Sequence, residues 1–291
     1  MRFSIQKLAR TDERFPDGLR HIPEPPEILY CLGNAEVLAH APSVAIVGTR
    51  RATRYGLETA RDLARDASNA GIAVVSGLAL GIDAEAHTGA LAGKSPTIAV
   101  LGSGLNHIVP MTNRRLAEQI LETGGAIVSE FEPDMPAETW TFPQRNRIIA
   151  GLAEATIVIE APEKSGALIT ARFALDFNRD VGAVPGEITS INSKGTNQLL
   201  KEGAALIRTL DDVYELLGLE VKIRPALDIM DENDNNLLRC LETPQNAEML
   251  ADAVRTSISE LLGRLTRLEL AGKIENRGGL FHKTGFKKGR F

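Results

Sequence analysis

The sequence predicts an α/β fold in which a doubly wound, extended Rossmann-like parallel sheet precedes a small C-terminal winged-helix domain. Short, near-continuous apolar runs such as Val44–Val47 and Ile157–Ile159 are typical of strands that are buried on both faces. Each run is followed by a helical pattern, and this alternation favours a parallel sheet covered on both sides. Beyond residue 234, three short helical patterns and a strand–turn–strand pattern favour a winged helix-turn-helix module.

The first 40 residues precede the alternation. Prolines at positions 16, 23, 25 and 26 interrupt any long helix or strand, so we expect irregular structure there. The apolar residues Ile22, Ile28 and Leu29 in this stretch predict that residues 1–40 form an extension packed on the main domain.

The main domain is expected at residues 41–217. Its strands are predicted at Val44–Val47, Ile72–Val75, Ile98–Leu101, Ile127–Val128, Ile157–Ile159, Gly182–Val184 and Leu206–Ile207. Helical patterns occur near 57–67, 84–92, 113–123, 144–153, 167–178, 196–203 and 211–217. Ligands of doubly wound sheets lie beyond the carboxyl ends of the strands, so the loops that follow the strands are the candidate site.

The remainder of the chain divides into a linker and a second domain. Residues 218–233 include an acidic, loop-like stretch and are expected to be a linker. Residues 234–291 are the expected winged-helix domain, with helices at Asn235–Leu241, Ala247–Val254 and Ser257–Ala271 and a hairpin near 273–281. The basic residues at the C-terminus are either a solvated tail or a phosphate-contacting one: Lys283, Lys287, Lys288 and Arg290.

Composition and charge exclude several classes of protein. The chain is 43% apolar and 24% charged, which is ordinary for a globular protein, and its formal net charge is -5. Cys31 and Cys240 lie far apart, which fits a reducing compartment, and no apolar run approaches the length of a membrane span. We therefore expect a soluble, cytoplasmic protein with no membrane insertion. The five histidines are dispersed and form no metal-ligand pattern, so we expect no metal and no cofactor.

Two small-residue loops lie in one βαβ unit, between Ile159 and Gln198. In each, small and hydroxyl residues open a helix, where backbone N–H groups and the helix dipole favour an anion. The first loop is Lys164-Ser165-Gly166, with Thr170 one turn into its helix, and the second contains Lys194-Gly195-Thr196. A phosphate-bearing ligand would explain both loops, but ordinary capping and turns would explain them as well.

Further cations and glycines follow the other predicted strands. Arginine suits phosphate recognition because its planar guanidinium donates hydrogen bonds in pairs. If the fold is correct, these side chains converge on one edge of the sheet, although each arginine taken alone could equally be part of a surface ion pair. The candidates in these segments are Gly48, Thr49, Arg50, Arg51, Arg54, Ser76, Gly77, Gly102, Arg114, Phe142, Arg145, Asn146 and Arg147.

Motifs of established enzyme chemistry are missing. The chain has no GxGxxG, Walker A or GxSxG sequence. Glu130 and Glu160 follow strands and could act as acids or bases, but helix caps and ion pairs are the simpler roles for them. His87 has no catalytic partner in sequence and is interpreted as structural.

The motifs resemble, in order, those of DNA processing protein A, the DprA/Smf family of bacterial transformation proteins. The matching segments include VAIVGTRRATRYG, VVSGLALGIDAEAHTGAL, FPQRNRIIAGLAEATIVIEAPEKSGALITARFALDFNRDVGAVPG and NSKGTNQLLKEGA, within about residues 15–215. Longer members of the family carry an N-terminal sterile-alpha-motif-like domain, which we do not expect in this chain. Members often have a lysine where this chain has Met111-Thr112-Asn113-Arg114-Arg115, and Arg114 or Arg115 is a candidate to replace it.

The resemblance implies a non-enzymatic protein that binds single-stranded DNA, usually as a homodimer, and loads the recombinase RecA onto that DNA during natural transformation. It also implies that Arg50, the FPQRNR segment and the loop from Lys164 to Thr170 line one basic face. A second hypothesis is a Rossmann-like hydrolase acting on a nucleoside monophosphate. The PGGxGTxxE signature of such hydrolases is matched only in part by Gly186-Glu187 and Lys194-Gly195-Thr196.

Overall fold

The structure is a computed structural model that describes residues 3–220, 232–241, 243–254, 256–270 and 273–284. The chain divides into two compact units, Met1–Val221 and Lys222–Phe291. Most of the expected linker, at 221–231, and the basic residues Lys287, Lys288 and Arg290 lie outside the described residues.

The first unit is built on a sheet of nine described strands. Their order across the sheet is β1-β2-β6-β5-β4-β3-β7-β8-β9, and all neighbours from β6 to β9 in that order are parallel. The strands are β1 (Ile5–Ala9), β2 (Ile28–Gly33), β3 (Ser43–Val47), β4 (Ala73–Ser76), β5 (Thr97–Val100), β6 (Ala126–Ser129), β7 (Ala155–Val158), β8 (Asp180–Ala183) and β9 (Ala205–Leu206). The α/β, Rossmann-like class predicted from the apolar runs is confirmed, and each predicted strand is present within one or two residues of its expected position.

The helices of this unit connect the strands. They are α1 (Asp17–Arg20), α2 (Arg54–Asn69), α3 (Ile82–Leu91), α4 (Arg114–Glu122), α5 (Thr141–Leu152), α6 (Gly166–Asp176), α7 (Lys194–Lys201) and α8 (Leu210–Leu216). Three short 3-10 helices lie at Ala35–Ala39, Met111–Asn113 and Ile191–Ser193. None of the helices within the described ranges has both the length and the apolarity that crossing a membrane requires.

Alternate residues of β3 show how the sheet is buried. Ala45 and Val47 belong to a core cluster that includes residues of α5 and α6, whereas Val44 and Ile46 belong to a second cluster with residues of α2 and α3. Since side chains alternate across a strand, helices cover both faces of the sheet. This arrangement explains why the strand sequences are continuously apolar.

The N-terminal extension differs from the expectation of irregular structure. It contains β1 and β2, which pair with each other and with β6 in antiparallel orientation and so add two strands to one edge of the sheet. The prolines lie outside these two strands, at positions 16, 23, 25 and 26, so they shape the connection between them without removing a ladder hydrogen bond.

The second unit contains three described helices and a two-stranded hairpin. The helices are α9 (Glu232–Cys240), α10 (Ala247–Val254) and α11 (Ile258–Leu270), and the hairpin joins β10 (Ile274–Arg277) to β11 (Leu280–Lys283). Leu250, Leu261 and Phe281 belong to its own apolar cluster. The predicted order of helices and hairpin is therefore present, and the assignment of a winged-helix domain stays a prediction.

Candidate functional site

The topology of the sheet places one crevice at its centre. From β3 the chain proceeds to β4, β5 and β6 on one side, and it returns to place β7, β8 and β9 on the other. β3 and β7 are therefore neighbours whose following loops diverge, which is the position where doubly wound sheets bind ligands. The loops that follow β3 and β7 line a cavity of about 570 Å³ at this point.

The cavity brings together most of the predicted site residues. It also involves Asp83, Thr139 and Pro162, which the sequence did not single out. The predicted residues that line it are Gly48, Thr49, Arg50, Arg51, Phe142, Arg145, Asn146, Lys164, Ser165, Gly166 and Thr170. Gly77 and Gly102 line a smaller adjoining cavity of about 80 Å³, together with Arg50, Phe142 and Arg145.

Three exposed cations surround the main cavity. Arg50, Arg51 and Lys164 are exposed, and among the described residues none of them has an ion-pair partner. The guanidinium of Arg50 lies over the ring of Phe142, with its central carbon 4.9 Å from the ring centroid. This contact holds a cation and an aromatic face together at the mouth of the cavity.

The start of α6 forms another part of the wall. Ser165 caps the helix through its hydroxyl, which accepts a hydrogen bond from the amide of Ala167 at 3.3 Å. Asn146 of α5 donates to the carbonyl of Gly166 at 3.1 Å and joins the two helices. A Cβ at Gly166 would meet no atom within 4 Å, so open space lies beside this glycine. The positive end of the helix dipole therefore adds to the charge of Lys164.

Arg145 and Asp83 form the buried base of the cavity. The Arg145 side chain donates to the carbonyl of Gly77 at 2.7 Å and to that of Val100, so it joins the ends of β4 and β5. Burial lowers the pKa of Arg145 to about 10, an effect that the neighbouring Asp83 opposes. Burial raises the pKa of Asp83, and the charges of Arg145 and Arg50 act against that rise.

Other predicted site residues lie outside both cavities. Arg54 pairs with Glu58 at 2.7 Å, and Arg114 pairs with Glu118 at 3.4 Å, both on helix surfaces. Arg147 is buried and pairs with Glu130 at the end of β6. The buried Ser76 hydroxyl donates to the carbonyl of Ile46 at 2.7 Å.

The second small-residue loop supports the first and does not line the cavity. The amide of Gly195 donates to the carbonyl of Ala161 at 2.7 Å, and a Cβ at Gly195 would lie 2.6 Å from that oxygen. The hydroxyl of Thr196 donates to the carbonyl of Ser193 at 3.1 Å, and Lys194 lies 4.0 Å from Glu163. Gly195 can lie this close to the Ala161 carbonyl only because it has no side chain.

Asn113 is a supporting residue that the sequence did not indicate. Leu78 is fully buried yet has a φ of 56°, which is unusual for a branched side chain. The side-chain amide of Asn113 donates to the carbonyls of Leu78 and Ala79, at 2.9 and 3.2 Å. Because Ala79 lines both cavities, this pair of hydrogen bonds fixes part of their wall.

The family model for DNA recombination-mediator protein A matches residues 6–218. The chain belongs to this family. Protein Smf of Escherichia coli is 36% identical over 278 residues, which cover 92% of this chain and 74% of that protein. Protein Smf of Synechocystis is 44% identical over 216 residues, which cover 73% of this chain but only 54% of that protein.

Two solved structures are similar to about three quarters of this chain. DNA processing protein A from Streptococcus pneumoniae superposes with a TM-score of 0.69 at 38% identity, covering 73% of this chain and 74% of that one. DNA processing protein A from Helicobacter pylori, whose structure is described for its single-stranded-DNA binding mode, superposes with a TM-score of 0.66 at 33% identity. That comparison covers 74% of this chain and 96% of the Helicobacter protein.

Proposed function

We propose that this member of the family binds single-stranded DNA in the cavity between the β3 and β7 loops. The observation that carries the proposal is the group of exposed cations, Arg50, Arg51 and Lys164, around one cavity at the start of α6. Phosphates would bind these cations and the α6 amides, while bases would contact the aromatic face of Phe142. The single-stranded-DNA binding mode of the Helicobacter relative supports the same ligand.

The carboxylates near the cavity already have hydrogen-bond or charge partners within the protein, and this favours a binding protein over a hydrolase. Glu160 accepts hydrogen bonds from the amide and hydroxyl of Thr53, at 2.8 and 2.6 Å, and is held at the start of α2. Glu130 is paired with Arg147, and Asp83 is buried beside Arg145. A general base needs to reach a water or hydroxyl of its substrate. Glu160 and Glu130 line neither cavity and are held by other residues. Asp83 does line the main cavity, but it is buried beside Arg145. The described residues also contain no group of three or more ligands suited to a metal ion.

The proposal is tested by oligonucleotide binding at several salt concentrations. Arg50→Ala removes one exposed phosphate-binding cation, so affinity should fall for every sequence and the logarithmic salt slope should flatten by about 0.7. Arg54→Ala is the matched control, because Arg54 is four residues away but paired with Glu58 outside the cavity. Equal salt slopes for the two variants would remove Arg50 from the site.

The hydrolase alternative makes a different prediction. The protein would release free base from a nucleoside monophosphate, and the release would depend on one of the three carboxylates. Incubation with each monophosphate, followed by separation of bases, tests this directly. We expect no release above the rate in buffer.

The description of the family as a recombination mediator supports a wider role. We extend the proposal to a dimer that protects incoming strands during natural transformation and loads RecA onto them. Bound strands should resist a single-strand nuclease, and the protein should accelerate RecA assembly on strands already covered by a single-strand-binding protein. Nuclease sensitivity equal to that of naked DNA would count against protection.

We also propose separate roles for the predicted domains. Residues 41–217, with the extension 1–40, would hold the single strand, and residues 234–291 would add a winged-helix module after the linker at 218–233. Gel shifts of the full chain and of a 1–220 truncation, on single and double strands, separate these roles. We expect the truncation to retain single-strand binding.

A further inference from the structure

An exposed apolar strip lies beside the cavity, on the segment between β8 and α7. Ile188 and Ile191 are 89% and 71% exposed, and Tyr55, which contacts this segment, is 50% exposed. Isoleucine is among the residues most often buried, and apolar side chains exposed together mark interaction surfaces. Packing in the core of this unit therefore does not account for the presence of apolar residues at these three positions.

One hydrogen bond attaches the segment between β8 and α7 to α2, and another attaches it to the loop that carries the cations. The hydroxyl of Tyr55 donates to the carbonyl of Pro185 at 3.0 Å, and the side-chain amide of Asn192 donates to the carbonyl of Arg51 at 2.8 Å. The carbonyl of Asn192 also accepts from the amide of Ala161, in the loop after β7. The segment that carries Ile188 and Ile191 is therefore hydrogen-bonded to the loop after β3 and to the loop after β7, and it lies next to the edge of the cavity.

Charges flank the apolar surface. Arg51 lies at the end that joins the cavity. Lys194 follows Ile191 by three residues; its side chain is 50% exposed and lies 4.0 Å from the exposed carboxylate of Glu163. Glu187 is the exposed acid of the segment and disfavours a phosphate next to Ile188. Single-stranded nucleic acid presents apolar base faces on one side and phosphates on the other, which matches an apolar strip between cations.

We infer that Tyr55, Ile188 and Ile191 receive the bases of nucleotides that leave the cavity, an inference that rests on the proposed single-strand binding. A cavity of about 570 Å³ is the size of a small-molecule pocket, so a longer strand must cross its rim. The hydrogen-bonded segment next to Arg51 offers that strand an apolar path. The proposed binding site therefore extends beyond the cavity and includes the exposed apolar side chains of the strip.

The test uses the full chain with the double substitution Ile188→Ser and Ile191→Ser. Oligothymidylates of about four and about 20 nucleotides distinguish a strand confined to the cavity from one that crosses the strip. We expect about tenfold weaker binding of the long strand, from lost apolar contact, and unchanged binding of the short one. The salt slope should not change, because no cation is removed.

Leu175→Ser is the control for loss of an exposed apolar side chain. Leu175 is 57% exposed near the C-terminal end of α6, about 13 Å along the helix axis from Gly166. Unchanged binding of the long strand by the isoleucine double variant would overturn the inference. Normal DNA binding with loss of RecA loading would also overturn it and assign the strip to a protein partner.

Arg50→Ala, measured in parallel, separates this inference from the proposed function. If Arg50→Ala weakens both strands while the isoleucine variant weakens neither, only the strip is wrong. If Arg50→Ala weakens neither strand, the proposed cavity site itself fails.

Discussion

Arg50 and Phe142 come from different parts of the chain, yet the guanidinium carbon of Arg50 lies 4.9 Å from the centroid of the Phe142 ring. Arg50 follows β3, whereas Phe142 is the second residue of α5. An exposed arginine ordinarily loses side-chain freedom when it binds a phosphate. Here the ring restricts the guanidinium beforehand, and both groups line the main cavity and its smaller neighbour.

The first prediction concerns this contact. Phe142→Ala should weaken binding of single strands about fivefold, which corresponds to about 1 kcal/mol for a partly exposed cation–π contact. The salt slope should stay unchanged, in contrast to Arg50→Ala, because the charge remains. Phe142→Tyr keeps the ring face and serves as the control in fluorescence anisotropy titrations. An alanine variant as tight as the tyrosine variant would contradict the role of the ring.

Sequence reasoning succeeded where local pattern decides structure. The apolar run Val44–Val47 and its counterparts predict strands because strands buried on both faces require such runs. The rule that ligands lie beyond strand ends then places Arg50 and Lys164 together, and the structure brings both to one cavity. Ser165 and Gly166 predicted a helix start, and α6 begins there.

The same reasoning could not separate arginines with different partners. Arg145 and Arg147 are two residues apart in one motif and were both predicted to bind phosphate. Arg147 pairs with Glu130 at the end of β6, while Arg145 donates to carbonyls at the ends of β4 and β5. Those partners are set by tertiary packing, so nothing in the local sequence indicates them. The edge strands β1 and β2 were missed because prolines in the connection conceal their pairing.

The second prediction compares two glycines of the site. A Cβ at Gly77 would overlap the Arg145 guanidinium and lie 2.6 Å from Oδ2 of Asp83, whereas one at Gly166 would meet nothing within 4 Å. Gly77→Ala should therefore lower the free energy of unfolding by about 1–3 kcal/mol, through overpacking next to a buried charge pair. Gly166→Ala should leave it unchanged or raise it by up to about 1 kcal/mol, since alanine favours helix. Urea denaturation measures both, and equal stabilities would contradict the packing around Gly77.

The third prediction concerns Asn113, which holds the Leu78 turn. Asn113→Ala leaves the carbonyls of Leu78 and Ala79 without their buried donor, at a cost of about 1–3 kcal/mol. Binding of single strands should weaken as well, because Ala79 lines both cavities. Thr112→Ala, at the exposed neighbouring position, is the control. Normal stability of the Asn113 variant in urea would show that the turn does not depend on these hydrogen bonds.

The last prediction concerns stability in mild acid. His87 is fully buried, and burial, aided by the charge of Arg145, lowers its pKa from 6.5 to about 3. The hydroxyl of Thr97 donates to the carbonyl of Val74, so its oxygen accepts from Nδ1–H of His87, a hydrogen bond that a neutral imidazole protonated at Nδ1 makes. The unfolded chain therefore binds a proton at His87 before the folded chain does.

Because the folded pKa is the lower one, the stability that His87 contributes is complete above pH 6.5 and is lost as the pH falls toward about 3. Between about pH 6.5 and 5 the free energy of unfolding should fall by up to about 1.4 kcal/mol per pH unit. His87→Gln should make this dependence shallower, whatever its stability at neutral pH. His21→Gln, at a side chain that is 75% exposed, should leave the slope unchanged. Parallel slopes for the wild type and His87→Gln in urea titrations would show that His87 is not the group responsible.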